Sequence, residues 1–309
     1  MFSRARALLA GYPELAAVLA AAALGLTVQP PLAWLDSHQG INIALAVLVA
    51  STAVTISPAA LGRILPAWRS LTIALVIGVT LLPALSWAVS RIAPAGPLRD
   101  GLAAVGLAPC EIASVATTAM AGGEAALAAG VLIGSTLTTV IFAGPILRLE
   151  AVSPPAGHGT VSPGGIIASL ALVVALPLAA GIVARAGVPS VSRYERPAQV
   201  TSLVAVAVLV ALIAAEVHLS AGYLPVLAGL GSFCIGSAAI GWVLGLRSGR
   251  PARAALLLTT SMRDFAIAAG LAAAAFGAAA AAPLGLYGVL VLAWGTAAAG
   301  YLRRRQLAA

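Results

Sequence analysis

Residues 106–147 read GLAPCEIASVATTAMAGGEAALAAGVLIGSTLTTVIFAGPIL, and this stretch decides the fold. Only Glu111 and Glu124 carry charge in it. The segment is therefore apolar for long enough to supply two helices of about 20 residues, the length that crosses a hydrocarbon core. Pro109 interrupts the first of them, because proline lacks a backbone N–H and its ring clashes with the preceding turn. Carbonyls freed at such a break need protein, water or an ion to satisfy them. The stretch reads as one broken membrane helix with charge at the break, followed by one continuous helix.

The rest of the chain repeats this character. Of its 309 residues, 61% are hydrophobic and only 8% are charged, where soluble domains carry about 25% charged residues. A soluble globule could not cover that much apolar surface. Apolar runs fall at 8–28, 41–56, 68–89, 98–120 and 125–147, then at 166–184, 201–219, 224–246, 252–275 and 283–302. The polar linker 153–165 separates the two sets. The predicted fold is an all-α integral membrane protein of ten helices, with residues 1–152 and 166–309 each supplying five. The first run follows Arg4 and Arg6 in the manner of a signal peptide, but the recurrence of such runs reads as a retained first helix.

The net charge of +8 does not indicate nucleic acid, since the arginines stand between apolar runs and form no basic groove. With the N-terminus in the cytoplasm and alternating spans, the far side holds only Arg91, Arg99 and Arg148. Arg263 lies inside a span, and the other arginines fall on the near side. This positive-inside bias places both termini in the cytoplasm of a cell (inner) membrane. Trp34, Trp68, Trp87 and Trp294 read as interface anchors.

Each half has an interrupted fourth member: Pro109 and Glu111 in the first, TTSMRD at 259–264 in the second. Five spans per half invert one half relative to the other. Matching interrupted helices in inverted repeats point to the substrate site of a secondary transporter. A charge at bilayer centre costs about 2.5–3.5 kcal/mol, so Glu111, Arg263 and Asp264 are expected to face protein. If the two breaks cross, Arg263 can reach Glu111 or Asp264. The candidate residues for substrate or coupling ion are Pro109, Glu111, Ser114, Thr118, Thr259, Thr260, Ser261, Arg263 and Asp264. Cys110, Cys234 and the three scattered histidines have no metal or redox spacing. Phosphate loops and nucleophile–base sets are also absent from the sequence. An enzyme is not expected, nor a cofactor.

These residues resemble the bile acid:sodium symporter family. Pro109, Ser114, the Gly122, Gly123 and Glu124 step, and Ser135, Thr136 and Leu137 are similar to the pattern of its fourth and fifth helices. TTSMRDFAIAAGLAAAAFG at 259–277 is similar to its crossing ninth helix. The resemblance implies a ten-helix secondary transporter with two inverted repeats and discontinuous, crossing fourth and ninth helices. Helices 1, 2, 6 and 7 would form a panel domain, and helices 3–5 and 8–10 a core domain. It further implies symport of a small organic anion, bile-acid-like or a carboxylate, with sodium held near Ser114 and Thr259. The side chains depart from the family at the ion site: Thr259, Arg263 and Asp264 stand for its Glu, Gln and Asn. Val115, Ala128 and Leu132 stand for its Asn, Ser and Thr. A hard cation wants several oxygens, so a proton on Glu111 or Asp264 is the other coupling expectation. Two further readings are arsenite-type metalloid efflux through Cys110, and a membrane sensor or scaffold that moves nothing.

Overall fold

A computed structural model describes residues 13–55, 67–150, 163–187, 193–215 and 223–307. The N-terminal leader-like segment, Arg63 and linker residues 153–162 lie outside the described residues. All regular structure among the described residues is helical. Five helices are long and apolar enough to cross a membrane: Trp68–Ser90, Ala125–Leu147, Glu195–Ala215, Tyr223–Arg247 and Ala279–Arg305. Shorter apolar helices cover Gly40–Thr55, Ala171–Gly187 and Phe265–Phe276. Large apolar side chains stay exposed on their outer faces, Leu224 at 71% and Val183 at 68% among them. Only a lipid solvent accommodates such a surface. The chain is an all-α, multi-pass integral membrane protein.

In chain order the helices are α1 (Pro13–Thr27), α2 (Gln29–Ser37), α3 (Gly40–Thr55), α4 (Trp68–Val79) and α5 (Leu81–Ser90). They continue with α6 (Pro97–Ala104), α7 (Ala113–Met120), α8 (Ala125–Glu150), α9 (Pro163–Leu170) and α10 (Leu176–Gly187). The last are α11 (Glu195–Ala215), α12 (Tyr223–Leu244), α13 (Arg250–Ser261), α14 (Phe265–Phe276) and α15 (Ala278–Leu307).

Prolines explain most irregularities. The third apolar run splits at Thr80, one turn before Pro83, because that ring removes the acceptor's partner and crowds Val79. A π-helical turn over Ala171–Ala175 precedes Pro177 and joins α9 to α10. The first apolar run ends with α1 at Thr27, just ahead of Pro30 and Pro31. They fall in the first turn of α2, where a missing N–H costs nothing. Trp34, Trp68 and Trp87 are exposed as anchors would be. Trp294 instead turns inward, its Nε1 donating to Ser261 Oγ at 3.0 Å.

Packing sorts the helices into two sets. In one, α11 lies against α1 and α3, and α10 against α3; in the other, α12 packs on α13 and α5, α14 on α15, α15 on α6, and α8 on α4. Small residues allow the close approaches. At Gly101 a Cβ would stand 2.0 Å from the Ala280 carbonyl oxygen, and a backbone atom cannot swing aside. Gly101→Ala is therefore expected to lower stability by about 1–3 kcal/mol through overpacking. Gly78→Ala, which would meet nothing within 4 Å, should leave the thermal midpoint of the detergent-solubilised protein unchanged or slightly raised.

Candidate functional site

The site is built where the two helix breaks meet. After α6 a 3-10 turn over Val105–Leu107 ends in extended backbone at Ala108, and α7 starts at Ala113. On the other side α13 ends at Ser261, Met262 is extended, and extended Asp264 opens α14. The two extended strips run antiparallel and bridge Cys110 to Arg263. Glu111 N–H donates to the Met262 carbonyl at 2.8 Å, and Asp264 N–H donates to the Pro109 carbonyl at 2.9 Å. Each break thus satisfies the polar backbone that the other exposes, as an apolar medium demands.

Neighbouring side chains satisfy further backbone groups. Thr139 Oγ1 donates to the Leu107 carbonyl at 2.9 Å, and Cys110 N–H donates to Ser135 Oγ at 3.0 Å. Arg263 N–H donates to Tyr287 Oη at 3.2 Å. The Arg263 guanidinium donates to the Ala108 carbonyl, so its charge sits at the carbonyl end of the 3-10 turn, where a cation is favoured. Arg263 is 3% exposed and its Nε has no hydrogen-bond partner. The expected ion pair with Glu111 or Asp264 does not form: among the described residues the one salt bridge is Arg185–Glu195. Asp264 remains within electrostatic reach of the guanidinium. Its own Oδ1 accepts from the N–H groups of Ala266 and Ile267, each at 2.9 Å, and caps α14.

The hydroxyls turn back on the protein. Thr259 donates to the Ala255 carbonyl at 2.8 Å, Thr260 to Leu256 at 2.7 Å and Ser261 to Leu257 at 2.8 Å. Ser114 Oγ lies 3.2 Å from Cys110 Sγ. Thr118 Oγ1 is buried without a partner. This back-bonding is the ordinary behaviour of hydroxyls in apolar helices.

A cleft of about 700 Å³ opens beside the junction. One wall comes from α3 and α11, the other from α7, the start of α8, Phe265 and Leu292. Of the nine residues singled out in the sequence, Glu111 alone lines it, and among the described residues it is the only charged one that does. Glu111 is 6% exposed; its carboxylate lies against the backbone amides of Ala113, Phe265 and Ile112, and Oε2 has no hydrogen-bond partner. The opposite wall presents Thr52 and Thr55 from α3, and Gln199 and Ser202 from α11. Thr52 Oγ1 is likewise buried and unpartnered. Sequence reasoning missed these four. The available signal was the three-residue spacing of each polar pair, which puts it on one face of an otherwise apolar helix.

A sequence model of the sodium bile acid symporter family matches residues 42–225, more than half of the chain. The chain belongs to the sodium bile acid symporter family. Membership and the multi-pass helical architecture make it a secondary transporter rather than an enzyme. Comparison with curated proteins finds no match. The region matched to the sodium bile acid symporter family includes the first break, Glu111 and the polar pairs of α3 and α11. The ion for which that family is named fits these residues poorly. Val115, Ala128 and Leu132 offer hydrocarbon where a hard cation wants oxygen. Among the described residues no three His, Cys, Asp or Glu side chains group as metal ligands.

Proposed function

We propose that the chain carries a small amphipathic organic anion across the membrane together with one proton, and that Glu111 holds the proton. The supporting observation is a mainly apolar cleft whose single charged lining group, among the described residues, is a carboxyl with an unpartnered oxygen. The α7 and α14 helices begin at this cleft, and their amino ends favour an anion. While ionised, Glu111 occupies that place itself. Once protonated it becomes a hydrogen-bond donor, and a substrate carboxylate can take the amino end of α7 with Glu111 O–H beside it. The apolar body of the substrate lies along Leu48, Val115 and Leu132. Thr52 and Gln199 face it from the other wall.

This reading carries a ten-crossing arrangement of two inverted five-helix repeats with both termini cytoplasmic. The set containing α1, α3, α10 and α11 acts as the panel. The set containing the two breaks acts as the core, and relative movement of the sets exposes the cleft to alternate sides.

The test uses proteoliposomes and a labelled steroid carboxylate such as cholate, with imposed proton and sodium gradients. Acid outside should drive accumulation above the external level, and a protonophore should collapse it. Equal uptake with and without a proton gradient would overturn the reading. A second reading, exchange of an organic cation for a proton, draws on the same observation, because the only lining charge is negative. It predicts the opposite dependence, with cation uptake driven by acid inside.

A further inference from the structure

We infer that Arg263 is a resident cation occupying the place of a coupling ion, so that this transporter neither binds nor needs sodium at the crossing. The inference rests on the transport reading only for its flux measurement; its binding measurement stands alone.

Three observations carry it. Interrupted helices expose carbonyls at a half-helix end, and those carbonyls commonly coordinate a coupling cation. Here the Ala108 carbonyl, at the end of the α6 half-helix, receives the Arg263 guanidinium. Three further carbonyls of the junction accept internal donors: Leu107 from Thr139, Pro109 from Asp264 and Met262 from Glu111.

Second, this positive charge is buried at 3% exposure without an ion pair among the described residues. A guanidinium keeps its proton under all ordinary conditions. The negative ends of the junction, Asp264 and the 3-10 carbonyls, are therefore balanced by a charge that cannot depart. Third, two of the neighbouring side chains give a second cation no oxygen. Ala128 and Leu132 are buried hydrocarbon, and a mobile positive ion entering here would meet the fixed one in a medium that screens poorly. A tethered charge removes the ion from the transport cycle, leaving the proton as the only coupling species.

The experiment measures thermal unfolding of the purified protein in detergent, with sodium chloride exchanged for choline chloride at equal ionic strength. Wild type should melt at the same midpoint in both salts. Arg263→Ala should melt lower and recover towards wild type when guanidinium ion is added at concentrations well below denaturing, while choline gives no recovery. Sodium-specific stabilisation of wild type would overturn the inference, as would a folded Arg263→Ala protein indifferent to guanidinium. If Arg263→Ala does not fold, the wild-type comparison still decides. In proteoliposomes, replacing sodium by choline should leave cholate uptake unchanged, and uptake requiring sodium would refute the proposal. Absence of uptake in any salt would count against the transport reading alone.

Discussion

Glu111→Gln is expected to abolish proton-driven accumulation while leaving the protein folded and able to exchange substrate for substrate. A gradient of one pH unit supplies about 1.4 kcal/mol per proton, which drives at most about tenfold accumulation in a carrier that moves one proton with each anion. The glutamine carboxamide nearly reproduces the shape of glutamic acid. Its oxygen can still lie against the amides of Ala113, Phe265 and Ile112, where Glu111 now sits. What it lacks is a proton that it can bind on one side and release on the other. Accumulation should fall to about the external concentration, a tenfold effect, whereas counterflow of labelled against unlabelled substrate persists. Stability should hold or rise, because the substitution removes a buried carboxyl whose Oε2 is unpartnered. Continued uphill uptake by this variant would assign the proton to another group.

Asp264→Ala is expected to give the largest loss of stability. Asp264 is 1% exposed and its Oδ1 accepts two backbone N–H groups at the start of α14. Truncation removes the cap and leaves those two donors unsatisfied in the protein interior, at about 1–3 kcal/mol. It also removes the carboxylate within reach of the buried Arg263 charge. Together these give about 3–5 kcal/mol, comparable with breaking a buried charge pair. Asp264→Asn keeps an accepting oxygen for the cap and discards the charge, so it should lose markedly less. Unfolding in mixed micelles, read by tryptophan fluorescence, separates the two contributions. Equal losses in both variants would mean that charge, and not capping, fixes this turn.

Much of the architecture was legible because lipid imposes a simple rule: a span must be apolar for about 20 residues. The predicted run at 125–147 coincides with Ala125–Leu147, and the run at 68–89 misses Trp68–Ser90 by one residue. The breaks were legible too, since Pro109 and the polar run at 259–264 are conspicuous in apolar surroundings. The partner of Arg263 was not. Sequence says that a buried cation needs compensation, but a carboxylate and a helix-end carbonyl both supply it, and only the path of the chain selects Ala108. The hydroxyls of Thr259, Thr260 and Ser261 read as site residues for their chemistry, yet each bonds a carbonyl of its own helix. The polar spacing around Thr52 and Gln199 was readable, but their role was not, because packing alone brings α3 and α11 opposite a carboxyl from a distant part of the chain.

The antiparallel bridge between the breaks is made by backbone N–H and carbonyl groups, with no side-chain atom in either bond. The joint between the two strips is therefore main-chain work, and the Arg263 side chain adds its own bond to the Ala108 carbonyl on top of it. Ion preference and substrate preference can then drift through exchange of side chains on an unaltered frame. The mechanical joint and the ion chemistry of this junction thus rest on different atoms of the same two strips.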